Sequence, residues 1–408
     1  MGPTMREPWP PGLFQIVGIP WHGDRSYACV VSDLRDRAVD KIDRLATAPT
    51  DLVSLWRATT DVLASVVPHY WTPCYFTLDP ASLLVTSHFH EGIDRFPAEA
   101  LANEYYGDDV NKLIDVARSE SGIATLHEAT GGDPSSSPRW RFNMSMGGDQ
   151  ELIARLRTDN GETVGALGLY REPGAPMFGD ADKAFVRAIA PLLARGARAS
   201  ILVGEAQDPE TPESPGLVML SDRWEVRSAS PDVGRWLDEL PDGDWSSGRL
   251  PSAVIAVAAQ ALNRETADGS PLAFARVLSK SGTWVVLHGA SLDDGADRRI
   301  AVIIEPAHPA RIYPLLMSAY GLTDRERDVT RLVLQGASTA QIAAELFISP
   351  HTVQQHLKSV FGKTGVRSRR DLVGKIFFAH YEPRLRDNET RVLHDLPIRG
   401  GPMATDAV

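Results

Sequence analysis

His351, Gln354, Gln355 and Lys358 stand at positions i, i+3, i+4 and i+7 of one segment. At about 100° per residue they share one side of a helix, and Val353, Leu357, Val360 and Phe361 share the other. The outer stripe holds no acid. Its amides suit bidentate bonds to adenine edges, and Lys358 suits guanine or a phosphate. Downstream, Lys363, Arg367, Arg369 and Arg370 suit phosphate contacts, which fix register rather than read sequence. Residues 319–381 hold nine Lys/Arg against five Asp/Glu, within 408 residues of formal net charge −11. Local positive charge on an acidic chain fits double-stranded DNA as a partner. From periodicity alone a plain helical bundle fits equally well, because amphipathic helices with one polar face are common.

The elements that must position this stripe are legible from their caps. Thr323 with Glu326 forms a capping box, and the helix it opens carries Val329, Leu332 and Val333 and stops at Gly336. Ser338 with Gln341 forms a second box before Ile342, Ala343 and Leu346. Ser349 caps a third helix with Pro350 at its first position, where a missing N–H costs nothing. Gly365 ends that helix. Ser368 with Asp371 opens a fourth, with Leu372, Val373, Ile376 and Phe377 apolar.

LTDRERDVTRLVLQGASTAQIAAELFISPHTVQQHLKSVFGKTGVRSRRDLV resembles the C-terminal helix-turn-helix of LuxR/NarL-type regulators. The shared positions are the Thr-x-Arg-Glu opening, the Gly after the first helix, Ile342-Ala343, Leu346, Ser349, Thr352-Val353, His356 and the Lys363 region. The resemblance implies that Ala340–Leu346 is the scaffold helix and Pro350–Lys363 the recognition helix. It implies that Gln354, Gln355 and Lys358 enter the major groove, and that Thr352, Lys363, Arg367, Ser368 and Arg369 contact the DNA backbone. His351 and Arg370 join the backbone set by position. His356 is expected to pack beside the core. Many relatives carry Lys or Arg where Gln354 stands, so base preference does not carry over. The fourth helix is the family's usual dimer contact, which implies a homodimer on a near-palindromic site with half-sites about one helical turn apart. RNA polymerase is an expected partner of such a regulator.

Upstream, helical patterning runs from Asp33, breaks at Pro49 and resumes from Leu52. Trp71–Leu78 and Leu83–Phe89 read as strands around Asp79-Pro80. Helix patterning returns at Pro97–Tyr106 and Asp109–Arg118. Glu151–Thr158 and Thr163–Tyr170 form a hairpin around Asp159-Asn160-Gly161. Asp180–Leu202 closes the unit as a helix. This order suggests a GAF-like α+β sensor over residues 33–203, after an irregular segment 1–32. Its stretch ATLHEATGGDPSSSPRW has loop composition and the look of a mobile flap. Tyr75, Phe76, Phe89 and Tyr105 are candidates for lining a ligand pocket, or else ordinary core.

Residues 204–215 are acidic and Pro-rich, a linker by composition. Two strands, two helices and three strands over 216–310 give the element order of a PAS-like domain: strands at Gly216–Leu220 and Trp224–Ser228, helices at Asp232–Leu240 and Pro251–Leu262, strands at Pro271–Leu278, Thr283–His288 and Arg299–Ile304. A looser resemblance to input domains of actinobacterial LuxR-type regulators extends into RVLSKSGTWVVLHGA and VIIEPAHPARIYPLLMSAYGLT. The fold class is thus multidomain α+β: a GAF-like domain, a PAS-like domain, then an all-α four-helix LuxR-type helix-turn-helix domain over 316–381. The tail, 382–408, reads as flexible.

Chemistry of other kinds finds no footing in these residues. His88 and His90 with Glu91 lack a third metal ligand placed by spacing. GDPSSSP and GGD are not nucleotide-cradling loops, Ser135–Ser137 has no nucleophile-elbow context, and no receiver-type acids precede a strand-borne Asp. The reading is therefore no catalytic residue, no metal and no cofactor, with a small-molecule or protein effector left unidentified. An enzyme or an interaction scaffold with an appended helix-turn-helix is the alternative. Composition is that of ordinary globular protein, 43% apolar and 23% charged. Cys29 and Cys74 are its two cysteines, MGPTMREPWPPG lacks a signal-peptide pattern, and Arg195 and Arg198 interrupt the apolar stretch at Ala188–Val203. These features suggest a cytoplasmic protein with no membrane span.

Overall fold

The computed structural model describes residues 25–48, 50–92, 97–203, 215–263, 273–293, 298–307 and 320–380. The expected linker over 204–215 (all but Pro215), the expected tail over 382–408 and residues 1–24 of the expected irregular segment lie outside these residues.

The first unit runs α1 (Arg25–Thr47), α2 (Leu52–Ala64), β1 (Cys74–Leu78), β2 (Val85–Phe89), α3 (Ala98–Ala102), α4 (Leu113–Arg118), β3 (Ile123–Thr125), α5 (Leu126–Ala129), α6 (Pro138–Ser145), β4 (Gln150–Arg157), β5 (Thr163–Arg171) and α7 (Asp180–Val203). Helix α1 thus begins before Asp33, inside the stretch expected to be irregular. The sheet is antiparallel throughout, in order β2-β1-β5-β4-β3. Alternating side chains split between two cores. Tyr75, Leu152, Leu167 and Leu169 meet α1, α2 and α7 on one face. Cys74, Phe76, Ile153, Ala166 and Tyr170 look the other way, toward α3 and α4.

That alternation corrects the expected aromatic pocket. Tyr75 stacks on Trp56 at 4.4 Å and shares its face with Phe89. Phe76 stacks on His88 at 4.6 Å, and the Tyr105 hydroxyl accepts from the Val85 amide, both on the opposite face. Neighbours on one strand cannot line one cavity, so the four do not converge.

The expected flap is also corrected. The segment forms β3, α5 and α6, and Ser137 caps α6 with Pro138 in its first turn. Arg139 from α6 is buried between two carboxylates, 2.6 Å from Glu104 and 3.4 Å from Glu151. Asn143 and Asn111 donate to Glu151 as well. Burial pushes the Glu104 carboxyl up, and the Arg139 guanidinium beside it opposes that rise. A segment holding this network is a fixed wall of the unit.

The second unit runs β6 (Gly216–Ser221), β7 (Val226–Ala229), α8 (Val233–Glu239), α9 (Ser252–Leu262), β8 (Ala273–Leu278), β9 (Trp284–Asp293) and β10 (Arg298–Pro306). Its sheet, β7-β6-β10-β9-β8, repeats the connectivity of the first. Helix α9, SAVIAVAAQAL, has no polar stripe and is buried nearly all round, as a helix covered on several sides must be. It packs on β8, β9 and β10 of its own unit and on β2 and α3 of the other.

The two units therefore share one core rather than standing apart. Each also lends a carboxylate to the other's edge strand. Asp79 accepts from the Arg276 amide on β8 at 2.8 Å and clamps its guanidinium at 2.7 Å. Asp242 accepts from the His88 amide on β2 at 3.2 Å. Edge donors satisfied in this way cannot pair with a foreign strand.

Candidate nucleic-acid interface

Four helices follow, each opened by the residue its sequence names. Thr323 caps α10 (Asp324–Leu334), and Ser338 caps α11 (Thr339–Glu345), both through complete capping boxes. Ser349 caps α12 (Pro350–Thr364), accepting from the Thr352 amide at 3.0 Å. Ser368 accepts from Asp371 at the start of α13 (Arg369–His380). Gly336 (φ 83°) and Gly365 (φ 68°) supply the left-handed residues that let the chain leave α10 and α12. Val329, Leu332, Ile342, Val353, Leu357, Val360 and Leu372 close a small core of their own.

With its apolar side anchored there, α12 presents His351, Gln354, Gln355 and Lys358 outward, all exposed. Gln354 donates to Thr339 at the start of α11 (3.3 Å), and Gln355 lies 3.1 Å from His351. These bonds orient the amides without covering them. Thr352 is half-buried beside Ser349, 2.8 Å away, and His356 is half-buried, consistent with packing beside the core.

Charge is sorted within the module. Four of the five acids pair with cations of α10 and with Lys363: Asp328 with Arg325, Asp324 with Arg327, Glu345 with Arg331, and Glu326 with Lys363, and Asp371 stands in the first turn of α13 among Arg367, Arg369 and Arg370. Lys358, Arg367 and Arg370 make no ion pair among the described residues. The unbalanced positive charge thus lies along α12 and the start of α13, where a phosphate backbone would be met.

Two of the expected backbone contacts have inward partners. Arg369 donates to the Ala337 carbonyl. Lys363 donates to the buried Glu326 at 2.6 Å, and Ser359 donates to the same carboxylate at 2.6 Å. Burial pushes the Glu326 carboxyl up, but bonds from Lys363, Ser359 and the Thr323 amide outweigh it and hold it at about 2. Glu326 is thus more than half of a capping box; it ties α10 to α12. The sequence shows the box but not the tie, because Lys363 lies far along the chain. Phe347 was also missed. It forms the turn between α11 and α12 at φ 55° with its side chain 94% exposed.

The module touches both upstream units. Arg327 pairs with Glu162 in the β4–β5 hairpin, and Trp284 and Ala307 pack against its core.

The sequence profile described as "Bacterial regulatory proteins, luxR family" matches residues 321–375. A putative HTH-type transcriptional regulator of Mycobacterium bovis is 56% identical over 52 residues, 13% of this chain and 6% of that protein's length. The spore germination protein GerE of Bacillus subtilis is 46% identical over 52 residues, 13% of this chain and 70% of that protein. Among solved structures, the GAF domain of an Acinetobacter phosphoenolpyruvate-protein phosphotransferase aligns over 43% of this chain and 97% of that chain, with 15% identity and a TM-score of 0.30. By its capped helices, the profile match and the likeness to GerE, the chain belongs to the luxR family of bacterial regulatory proteins.

Proposed function

We propose that the chain is a sequence-specific transcription regulator whose GAF-like (33–203) and PAS-like (216–310) regions gate DNA binding by a homodimer. The carrying observation is the exposed, acid-free stripe on α12. Gln354, Gln355 and Lys358 read base edges, while His351, Thr352, Arg367, Ser368, Arg370 and the outer donors of Lys363 and Arg369 hold the backbone. Paired helix-turn-helix modules place their recognition helices about one helical turn apart. The protein works in the cytoplasm, with RNA polymerase as its onward partner and no chemical step of its own.

Gating has a physical route in the contact between Glu162 and Arg327. A ligand or protein effector shifts DNA affinity only by binding one arrangement of hairpin and α10 better than another. Fluorescence anisotropy of the full chain on labelled duplexes, across a salt series, tests the reading. Affinity that differs between sequences and falls steeply with salt is expected. Equal, salt-insensitive affinity for every duplex contradicts it.

A further inference from the structure

The two amides of the outer stripe are held by neighbours that differ in one chemical respect. Gln354 donates to the Thr339 hydroxyl at 3.3 Å. A hydroxyl both donates and accepts, so it can hold that amide either way round at any pH. Gln355 meets His351, one turn back, with its amide nitrogen 3.1 Å from the imidazole Nε2. An amide nitrogen only donates, so Nε2 accepts here, and the imidazole is neutral with its proton on Nδ1. The Gln355 carbonyl and its second N–H are left to face outward.

The outward group decides which base edge fits. Adenine and cytosine present amino donors in the major groove, whereas guanine presents the acceptors O6 and N7. An outward carbonyl selects an amino-bearing base, and adenine best, because the second N–H reaches its N7. Once His351 takes up a second proton, both ring nitrogens donate. Nε2–H then faces N–H, and the bond re-forms only when the amide turns its carbonyl inward. The NH2 group now points outward, with two donors suited to guanine.

No charged neighbour competes for that proton's effect. The other titratable groups of α12 are His356, Lys358 and Lys363, and the helix holds no acid. On the elements packed against α12, Asp324, Glu326, Asp328 and Glu345 pair with Arg327, Lys363, Arg325 and Arg331. Arg367, Arg369, Arg370 and Asp371 stand at the far end of α12, roughly 20 Å from His351 at about 1.5 Å per residue. Among the described residues no ion pair reaches His351.

We infer that His351 is a positioning residue that sets which base edge Gln355 reads and makes that choice depend on its own proton. The inference rests on the reading of α12 as the base-reading helix. It adds to the backbone contact assigned to His351.

Sequencing the duplexes that the full chain retains from a randomised double-stranded library, at about pH 8 and at about pH 5.5, tests it. Gln355→Ala locates the position that Gln355 reads, and Gln354→Ala locates that of Gln354. At the Gln355 position the ratio of adenine to guanine should fall about tenfold on acidification, as for one bidentate pair. The Gln354 position should keep its preference. His351→Gln, which can hold the amide but gains no proton, should show one fixed preference at both values. An unchanged ratio at the Gln355 position, an equal change at both positions, or a change that persists in His351→Gln overturns this inference alone. Retention without sequence preference at either pH overturns it together with the reading it rests on.

Discussion

Glu326 carries the most structure per atom in the helical module, closing the cap of α10 and receiving Lys363 and Ser359 from α12. Its folded pKa, about 2, lies below the unfolded carboxylate value of about 4.3. A depressed value stabilises the fold above the unfolded pKa, and that stability is lost as pH falls from about 4.3 through about 2. The contribution is on the order of 2–3 kcal/mol at neutral pH. Glu326→Gln should lower the melting temperature at pH 7, and the gap to the parent should shrink as pH approaches 2. A gap independent of pH contradicts the role of charge. At the DNA face, Gln355→Ala or Lys358→Ala should cost roughly 1–3 kcal/mol on the preferred site and relax specificity. Arg367→Ala or Arg370→Ala should weaken all sequences alike and reduce the salt slope by about one. Lys363→Ala should do both that and lower stability, because its ammonium also neutralises a buried acid. Anisotropy and melting curves on the same variants separate these effects.

At the scale of elements, what was legible was local. Caps, glycine stops and the 3.6-residue stripe place α10 to α13 with Thr323, Ser338, Ser349, Gly336 and Gly365 in the roles their types suggest. Ser349→Ala should cost about 1 kcal/mol by orphaning the Thr352 amide. Gly365→Ala should cost about 1–2 kcal/mol by forcing a side chain into left-handed backbone. Urea unfolding monitored by helical circular dichroism checks both, and no shift of midpoint for either removes the capping account. What escaped the sequence was long-range. Ser137-Pro138 is itself a helix-start signature, yet loop composition masked it, and the Glu104–Arg139–Glu151 network joins three separate segments. The four aromatics failed as a pocket because Tyr75 and Phe76 alternate along one strand. Phe347 stands at a positive φ that no local pattern announces.

At the scale of the whole molecule, two sheets of one connectivity fuse through α9 and the reciprocal aspartates, and the helical module docks through Arg327. A helix over Pro251–Leu262 is legible in its residues, but nothing local says that both sides of α9 are covered. Asp79 and Arg276 are buried, 0% and 7% exposed by side chain. Removing one partner of such a pair costs about 3–5 kcal/mol, and replacing both with apolar groups costs less. Scanning calorimetry should show Asp79→Ala melting well below the parent, Asp79→Leu with Arg276→Met recovering part of the loss, and both sheets unfolding together. Separate transitions for the two sheets contradict a shared core. The central claim, that α12 lays its wet stripe against base edges, is tested most directly by sequencing the genomic fragments retained by the full-length protein and by its Gln354→Ala/Gln355→Ala/Lys358→Ala variant. A near-palindromic motif with half-sites about 10 base pairs apart, enriched by the parent and lost in the variant, is the expected result. Equal enrichment by both proteins, or none by either, contradicts the account.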